Sequence, residues 1–257
     1  LAQVRERGHR LFACTGRSAP EVYPRFWDVG FEGLVGGAGG YASVGDLVLL
    51  DERMPREHVE VLTTLWEDLD AFYIWQGPDQ MGPSDGYLDF FVPRAGQHPE
   101  DWIEYAQSIT PFIVDIDGGS FTKVTAYVPP ENASMERVNA ALPAGYRAII
   151  GSVGAAGYVP FEVVPEHLSK AVGIRAICEH VGIPLSHTVA IGDSNNDVEA
   201  VATAGLGVSI GHDCADLVEV ADIVAPAVSE DGLAWALRAA GLTADERTGG
   251  QGLGDAR

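Results

Sequence analysis

The pattern of apolar and polar positions changes twice along the chain, and these changes predict its organisation. Near the start, an apolar run at about 10–14 precedes Ser18, where the letters Ser-Ala-Pro-Glu have capping-box spacing, and a short buried strand follows at 33–35. We expect the helix that begins after Ser18 to continue to Val29. This order of strand, helix and strand is typical of a parallel sheet with crossover helices.

From about Met54 to Pro165 the pattern is that of a separate α+β module. The alternation in FTKVTAYV, residues 121–128, favours a sheet with one solvent-facing side. A further strand-like run and two helical stretches accompany it: YRAIIGSV (146–153), EHVEVLTTLWEDL (57–69) and SMERVNAAL (134–142).

The α/β rhythm resumes at Glu166, with a helix over about 168–181 that has apolar residues at helical spacing. We therefore expect a doubly wound parallel-sheet α/β core (1–52 and 166–242) with an inserted α+β cap (53–165). The segment 243–257 has almost nothing to bury and is expected to be disordered. The remaining predicted elements are strands at 188–191, 207–210 and 222–224, and helices from Asn195, from Asp213 and to Ala240.

Charge and composition narrow the classes of function. The 257 residues carry 16 basic and 37 acidic side chains, a formal net charge of −21. Such a field repels nucleic acids and anionic membranes, and no apolar run approaches the roughly 20 residues of a membrane span. Three widely spaced cysteines, Cys14, Cys178 and Cys214, are typical of reduced thiols inside cells. We expect a cytoplasmic protein without nucleic-acid or membrane partners.

The stretch TVAIGDSNNDVEA, residues 188–200, carries the first candidate chemistry. Asp193 follows a buried strand, where a carboxylate is costly unless a cation or several donors meet it. The hard cation Mg²⁺ takes one or two protein carboxylates together with phosphate oxygens and waters. An alternative is purely structural, since Ser194 and Asp197 have capping-box spacing. That alternative leaves Asp193 and Asn196 unexplained.

Two further positions are candidates for binding phosphate. Thr15 and Gly16 follow the first strand, where a hydroxyl and backbone N–H groups can meet a phosphate, although a turn with a helix cap predicts the same letters. Lys170 lies in the first turn of a helix, where its charge opposes the macrodipole by about 0.3–1 kcal/mol. A bound phosphate would reverse that effect; the alternative is a solvated surface lysine.

Taken in order, FACTGRS (12–18), Lys170 in HLSKAVGIRAI (167–177) and IGDSNNDVEA (191–200) resemble three motifs of the haloacid dehalogenase superfamily. The resemblance is to its Cof-type phosphatases, which carry a large α/β cap between the second and third motifs, and it extends to about residue 240. The run ADIVAPAVSEDGLAWAL (221–237) also looks like that family's last strand and helix. The fourth motif is the specific part of the resemblance. The other two motifs support the resemblance only by their order and spacing.

The resemblance implies Mg²⁺-dependent hydrolysis of a small phosphomonoester, such as a sugar phosphate, through an aspartyl-phosphate. Thr15, Gly16 and Lys170 would hold the phosphoryl oxygens, and Asp193 would bind the metal. Asn196 would help to bind the phosphate, and with Asp197 would orient Lys170 and the metal-bound waters.

The family's first motif, an Asp-x-Asp-Gly run that supplies the nucleophile and the general acid/base, should precede Thr15 by a strand and a helix. The 14 residues before Thr15 contain no aspartate. The nucleophile is therefore expected upstream of Leu1, or the chain is a catalytically impaired or non-enzymatic relative. Transfer of the phosphoryl group to an acceptor other than water also stays open.

A segment in the predicted cap resembles the first motif. PFIVDIDGGS (111–120) places Asp115 and Asp117 after an apolar stretch, but a hairpin turn at 117–118 joining strands 112–116 and 121–128 explains it better. These two aspartates, with Trp75 and Tyr87, are nevertheless candidates to face the substrate. A departure at 36–38, where Gly-Gly-Ala replaces the family's common Asn-Gly-Ala, leaves the substrate preference open.

Overall fold

A computed structural model describes residues 1–96, 99–151 and 153–244, without the side chains of 99–101. Contacts divide the chain into two units: the first contains Leu1–Leu11 and the chain from Gly182, and the second is Phe12–Val181. The predicted core and cap boundaries fall inside the second unit, and that division stays a prediction. The predicted disorder after residue 244 lies outside the described residues. Within the described ranges, no helix has the length and apolar character to cross a bilayer.

The elements are numbered in chain order. The helices are α1 (Ala2–Glu6), α2 (Pro24–Trp27), α3 (Arg56–Asp68), α4 (Tyr87–Phe91), α5 (Pro99–Ile109), α6 (Met135–Ala141), α7 (Lys170–Val181), α8 (Val198–Thr203), α9 (Ala215–Val220) and α10 (Gly232–Ala239). The strands are β1 (Ala13–Cys14), β2 (Gly33–Gly36), β3 (Tyr41–Val44), β4 (Leu47–Asp51), β5 (Phe72–Gln76), β6 (Met81–Pro83), β7 (Lys123–Val128), β8 (Tyr146–Ile150), β9 (Val159–Pro165), β10 (Val189–Gly192), β11 (Leu206–Ile210) and β12 (Ile223–Ala225).

The first unit contains a parallel sheet in the order β10-β11-β12. Helices α8 and α10 pack against this sheet, and a small apolar core forms around Val208, Ala225 and Ala236. The strands predicted at 188–191, 207–210 and 222–224 agree with this sheet to within about one residue. Their carboxyl ends lie along one edge, the edge at which ligands bind in open α/β sheets.

The second unit contains a four-stranded sheet in the order β1-β2-β3-β4. Strands β1 and β2 are parallel, as predicted, with Ala13 opposite Leu34, whereas β3 and β4 add antiparallel to them and were not predicted. The predicted helix from Ser18 to Val29 is wrong. It is a single 3₁₀ turn followed by α2, because Pro24 has no N–H for a continuous helical ladder.

The second unit also contains a mainly antiparallel five-stranded sheet in the order β6-β5-β7-β9-β8. One face forms an apolar core with residues of α3 and α6, and the other carries an aromatic cluster with α4 and α5. The predicted solvent-facing side is wrong, since every residue of β7 is buried. Its polar side chains have partners inside the protein: Lys123 contacts Glu162, and Thr125 contacts Gln76.

The predicted hairpin at 117–118 is also wrong. Residues Ile116–Gly118 form a 3₁₀ turn, and the Asp117 carboxylate is exposed at the surface, 3.1 Å from the Arg56 guanidinium. Asp115 is exposed as well. Neither aspartate follows a buried parallel strand, which is the setting of a nucleophile in the resembled family. Trp75 and Tyr87 are buried in the two apolar clusters, so they are not placed to touch a ligand.

The segment 36–40, here called the glycine loop, joins β2 to β3 and depends on a residue without a side chain. Gly39 has a φ of +98°, and a Cβ at this position would lie 1.9 Å from the Ser169 carbonyl oxygen. We expect Gly39→Ala to lower the free energy of unfolding by clearly more than the roughly 1–2 kcal/mol that a left-handed backbone costs a residue with a side chain. Urea denaturation measures this loss.

The matched control is Gly145→Ala. Gly145 has a similar φ of +86°, but a Cβ there would meet nothing within 4 Å. The Gly145→Ala variant should therefore lose only the free energy that a left-handed backbone costs a residue with a side chain. Equal losses in the two variants would contradict the importance of the contact between Gly39 and Ser169.

Candidate active site

The loop after β10 is organised by a buried carboxylate. Asp197 is 9% exposed, and its Oδ2 accepts hydrogen bonds from the backbone N–H of Asp193 (3.1 Å) and from the backbone N–H and hydroxyl of Ser194 (3.2 and 3.1 Å). The capping box that the spacing of Ser194 and Asp197 predicts is therefore present. Gly192 permits the turn, because a Cβ there would lie 2.3 Å from that of Asp197.

Asp193 is the residue that capping does not explain. It directly follows the carboxyl end of β10, and its side chain is exposed. Within the described ranges, no hydrogen bond or ion pair involves its carboxylate. The carboxylate is therefore available to a cation, whereas Asp197 is committed to the turn.

A cavity of about 430 Å³ opens beside Asp193. Sequence reasoning missed one of its walls, the segment 213–216 that follows β11, because nothing in its letters marks it as functional. That wall is tied to the fourth motif by the Cys214 thiol, which donates to the Asn195 side-chain oxygen at 2.8 Å. The lining residues are Asp193, Ser194, Asn195, Asp213, Cys214, Ala215 and Asp216.

These donors fit Mg²⁺ better than a metal held by the protein alone. In the part of the chain that the structure describes, no group of three or more His, Cys, Asp or Glu side chains is arranged to hold a metal ion. Mg²⁺ does not require such a group, since it binds through one or two carboxylates and keeps waters and substrate oxygens. Asp193 fits the role of the protein carboxylate.

In the second unit, Thr15 and Gly16 form a tight turn at the end of β1. The Thr15 N–H donates to the Val35 carbonyl at 2.8 Å, and the Thr15 hydroxyl oxygen accepts from the Arg17 N–H at 3.2 Å. The turn suggested as an alternative by the sequence is therefore present. A hydroxyl that accepts one hydrogen bond keeps its own proton, so Thr15 can still donate to an anion.

Lys170 is the first residue of α7 and is only 5% exposed, so its interpretation as a solvated surface lysine is wrong. The glycine loop connects this helix start to the turn at Thr15. The Gly37 N–H donates to the Arg17 carbonyl at 2.8 Å, and Gly39 packs on Ser169. Thr15, Gly16 and Lys170 thus lie in segments that contact one short loop.

A buried carboxylate that sequence reasoning did not assign to the site fixes the turn further. Glu21 is 5% exposed and accepts from the backbone N–H and hydroxyl of Ser18 at 2.7 and 2.8 Å and from the Gln76 amide at 2.8 Å. Burial raises the pKa of the neighbouring Tyr105 well above its ordinary value, and the charge of Glu21 raises it further. The capping box was the sequence signal that could have identified Glu21 as a buried acceptor, but it was interpreted only as the start of a helix.

The predicted site residues therefore fall into two local groups. Thr15, Gly16 and Lys170 belong to the second unit, and Asp193, Asn196 and Asp197 belong to the first. The catalytic, phosphate-binding and metal-binding roles of these residues stay predictions.

Residues 1–237 match a family described as haloacid dehalogenase-like hydrolase. YkrA of Bacillus subtilis (strain 168), which carries a provisional phosphatase name, is 24% identical over 242 residues, covering 94% of this chain and 88% of that protein. Among solved structures, the HAD subclass IIB sugar phosphatase BT4131 has a TM-score of 0.71 at 21% identity and covers 93% of this chain and 88% of its own. A haloacid dehalogenase-like hydrolase from B. subtilis has a TM-score of 0.72 at 18% identity, with coverage of 92% and 90%. These structures confirm the predicted α/β fold class.

The hydrogen bonds to Asp197 predict how the loop after β10 responds to mutation. Asp197→Ala removes an acceptor from two backbone N–H groups and a hydroxyl, so we expect it to lower the free energy of unfolding by about 1–3 kcal/mol. Asp197→Asn keeps an acceptor oxygen but loses the charge, and should cost about half as much. Urea denaturation of both variants measures this, and an Asp197→Ala variant as stable as the wild type would contradict the role of Asp197.

Proposed function

Because this chain belongs to the haloacid dehalogenase-like hydrolases, we propose that it hydrolyses a small phosphomonoester, a sugar phosphate or similar metabolite, with Mg²⁺ as cofactor. The class of enzyme, a phosphoric monoester hydrolase, follows from the family and from the phosphatase names of its relatives. The metal, the substrate class and the residue roles are the proposal.

The observation that carries the proposal is the environment of Lys170. A lysine that is 5% exposed at the start of a twelve-residue helix experiences both desolvation and the positive end of the helix dipole. An anion at this position offsets both costs. The neighbouring glycine loop and the turn at Thr15 supply an N–H at Gly16 and a hydroxyl proton for the same anion. A phosphoryl group fits these three donors.

Asp193 would hold the metal, and the turn built on Asp197 would fix its position. When bound, Mg²⁺ neutralises charge on the phosphate and orients its oxygens. This contribution matters in a chain with a net charge of −21, which otherwise repels an anionic substrate. Asn196 and Asp197 would orient the metal-bound waters. The phosphoryl group would pass through an aspartyl-phosphate, formed on the Asp-x-Asp-Gly motif that the family carries a strand and a helix before Thr15.

In a protein that includes the Asp-x-Asp-Gly motif, the proposal predicts Mg²⁺-dependent hydrolysis of p-nitrophenyl phosphate and of sugar phosphates, abolished by a chelator. We expect Lys170→Met to lower kcat by about 10²–10³-fold, the loss typical for removal of a group that stabilises charge in the transition state. Asp193→Asn should raise the Mg²⁺ concentration needed for half-maximal activity by about 10-fold or more, because it weakens the metal ligand itself. Steady-state kinetics with Mg²⁺ titrations measure both effects.

Two charge-matched variants at exposed positions serve as controls: Arg137→Met on α6 and Asp46→Asn in the turn between β3 and β4. Both should behave as the wild type. The binding of inorganic phosphate in the presence of Mg²⁺, followed by the shift in melting temperature, gives a second readout that does not depend on turnover. A wild-type protein that neither binds phosphate nor hydrolyses any phosphomonoester would contradict the proposal.

A further inference from the structure

The basic residues of this chain are distributed unusually. Of the 16 basic side chains, 14 are arginine and only Lys123 and Lys170 are lysine. Both lysines are almost fully buried, at 3% and 5% exposure, although lysine is among the residues least often buried. The chain therefore uses lysine only at two enclosed positions and arginine everywhere else.

Arginine and lysine differ in ways that matter inside a protein. The guanidinium group is a wide planar fork, whereas the ammonium group is a compact point charge with three donors directed tetrahedrally. A general preference for arginine that is broken at two buried positions indicates sites where only the compact ammonium fits. Lys170 is already assigned to phosphate binding, so Lys123 calls for an explanation of its own.

The hydrogen bonds of Lys123 leave part of its ammonium group unmatched. Its Nζ donates to Glu162 Oε2 at 2.9 Å, and among the described residues Glu162 is its one polar partner. Two of its three N–H donors therefore lack an acceptor in a side chain that is 4% exposed. The Glu162 side chain is 17% exposed, so the pair is not completely sealed. A buried charge with unmatched donors is costly unless a ligand or water meets it.

The pair lies on the face of the five-stranded sheet that also carries the aromatic cluster with α4 and α5. Lys123 is opposite Gln76, and Thr125, two residues further along β7, is opposite Glu162, so all four share one face. The opposite face of these strands, with Trp75 and neighbouring apolar side chains, forms an ordinary core. The four polar side chains therefore share the first face with apolar side chains of the aromatic cluster, among them Ile74 and Tyr127.

Thr122, the residue before Lys123, contacts the glycine loop of the proposed phosphate site. A Cβ at Gly37 or at Gly40 would lie 3.5 or 2.5 Å from the Thr122 methyl group, so Thr122 packs directly on the glycine loop. Its hydroxyl is buried and has no hydrogen-bond partner in the described ranges. The glycine loop thus contacts Ser169, next to Lys170, on one side and Thr122, next to Lys123, on another.

We propose that Lys123 and Glu162 determine specificity by binding hydroxyl groups of the substrate's organic part. This inference rests on the proposed phosphatase function. A sugar or polyol hydroxyl both donates and accepts, so it matches the free donors of Lys123, the acceptor oxygens of Glu162 and the hydroxyl of Thr122. A second anionic group would be repelled by Glu162, and a cationic group by Lys123. A guanidinium group at position 123 would take more space than the ammonium group and would crowd such a hydroxyl.

The test compares the binding of non-hydrolysable phosphonates by isothermal titration calorimetry, with Mg²⁺ present and the full chain. Methylphosphonate reports the phosphate site alone, and the phosphonate analogues of glucose 6-phosphate, ribose 5-phosphate and glycerol 3-phosphate add hydroxyl groups. We expect the wild type to bind at least one polyol analogue about 10-fold or more tightly than methylphosphonate. Lys123→Arg, which keeps the charge, should reduce that ratio about 10-fold.

Stability distinguishes this role from a structural ion pair. The double variant Lys123→Met with Glu162→Leu replaces the pair by apolar side chains of similar size, which is often neutral or stabilising. We expect its melting temperature to be unchanged or higher while the preference for the polyol analogue disappears. Arg25→Lys, at the exposed ion pair with Glu104, is the matched control for the arginine–lysine exchange and should leave the ratio unchanged.

Three results would overturn the inference. The first is a wild type that binds methylphosphonate but prefers no polyol analogue. The second is a Lys123→Arg variant with the wild-type ratio, which would identify the pair as structural. The third, no binding of any phosphonate, would overturn the proposed function as well. Lys170→Met, which should weaken all the phosphonates alike, tells these cases apart.

Discussion

The close contact between Gly39 and the Ser169 carbonyl is the constraint on which the second unit's site depends. It brings the start of α7 against the glycine loop at a distance that excludes any side chain at position 39. The same loop bonds to the Arg17 carbonyl through the Gly37 N–H. Two backbone contacts, and no side-chain chemistry, therefore place a turn with a hydroxyl beside a helix that begins with a buried lysine. Backbone contacts of this kind are rigid, which would suit the proposed binding of a small anion in one geometry.

Two buried carboxylates use the same local device at different places in the chain. In both Ser18–Glu21 and Ser194–Asp197, an acid three residues after a serine accepts from that serine's N–H and hydroxyl. Each acid is less than a tenth exposed. The charge of the acid is balanced by N–H and O–H donors within one turn, so the turn becomes the least costly conformation of its segment. In the second case the exposed carboxylate of Asp193, which precedes the turn, is left available to a ligand.

The sequence predicted the parts of the fold that follow from local rules. Strand β10, the helix after Lys170 and both capping boxes were expected from periodicity or spacing, and of the strand expected at 10–14 only Ala13–Cys14 forms. What escaped prediction depends on contacts between distant segments. The burial of Lys170 and the pairing of Lys123 with Glu162 are set by which strands lie side by side, which a local pattern does not encode. Pro24 was a local signal that the first helix would break. The prediction missed this break because it gave more weight to the capping box.

Position 36 offers no side chain that could recognise a substrate. The resembled family commonly has asparagine there, but here a Cβ at Gly36 would lie 3.1 Å from the Arg17 carbonyl and 3.3 Å from the Leu34 side chain. A side chain at this position would have to displace the backbone of the turn that holds Thr15. At position 36 the loop can therefore present only its backbone, which can recognise an anion but does not distinguish one organic group from another. In the proposed function, discrimination would fall to side chains next to the loop, such as those of the segment that begins at Thr122.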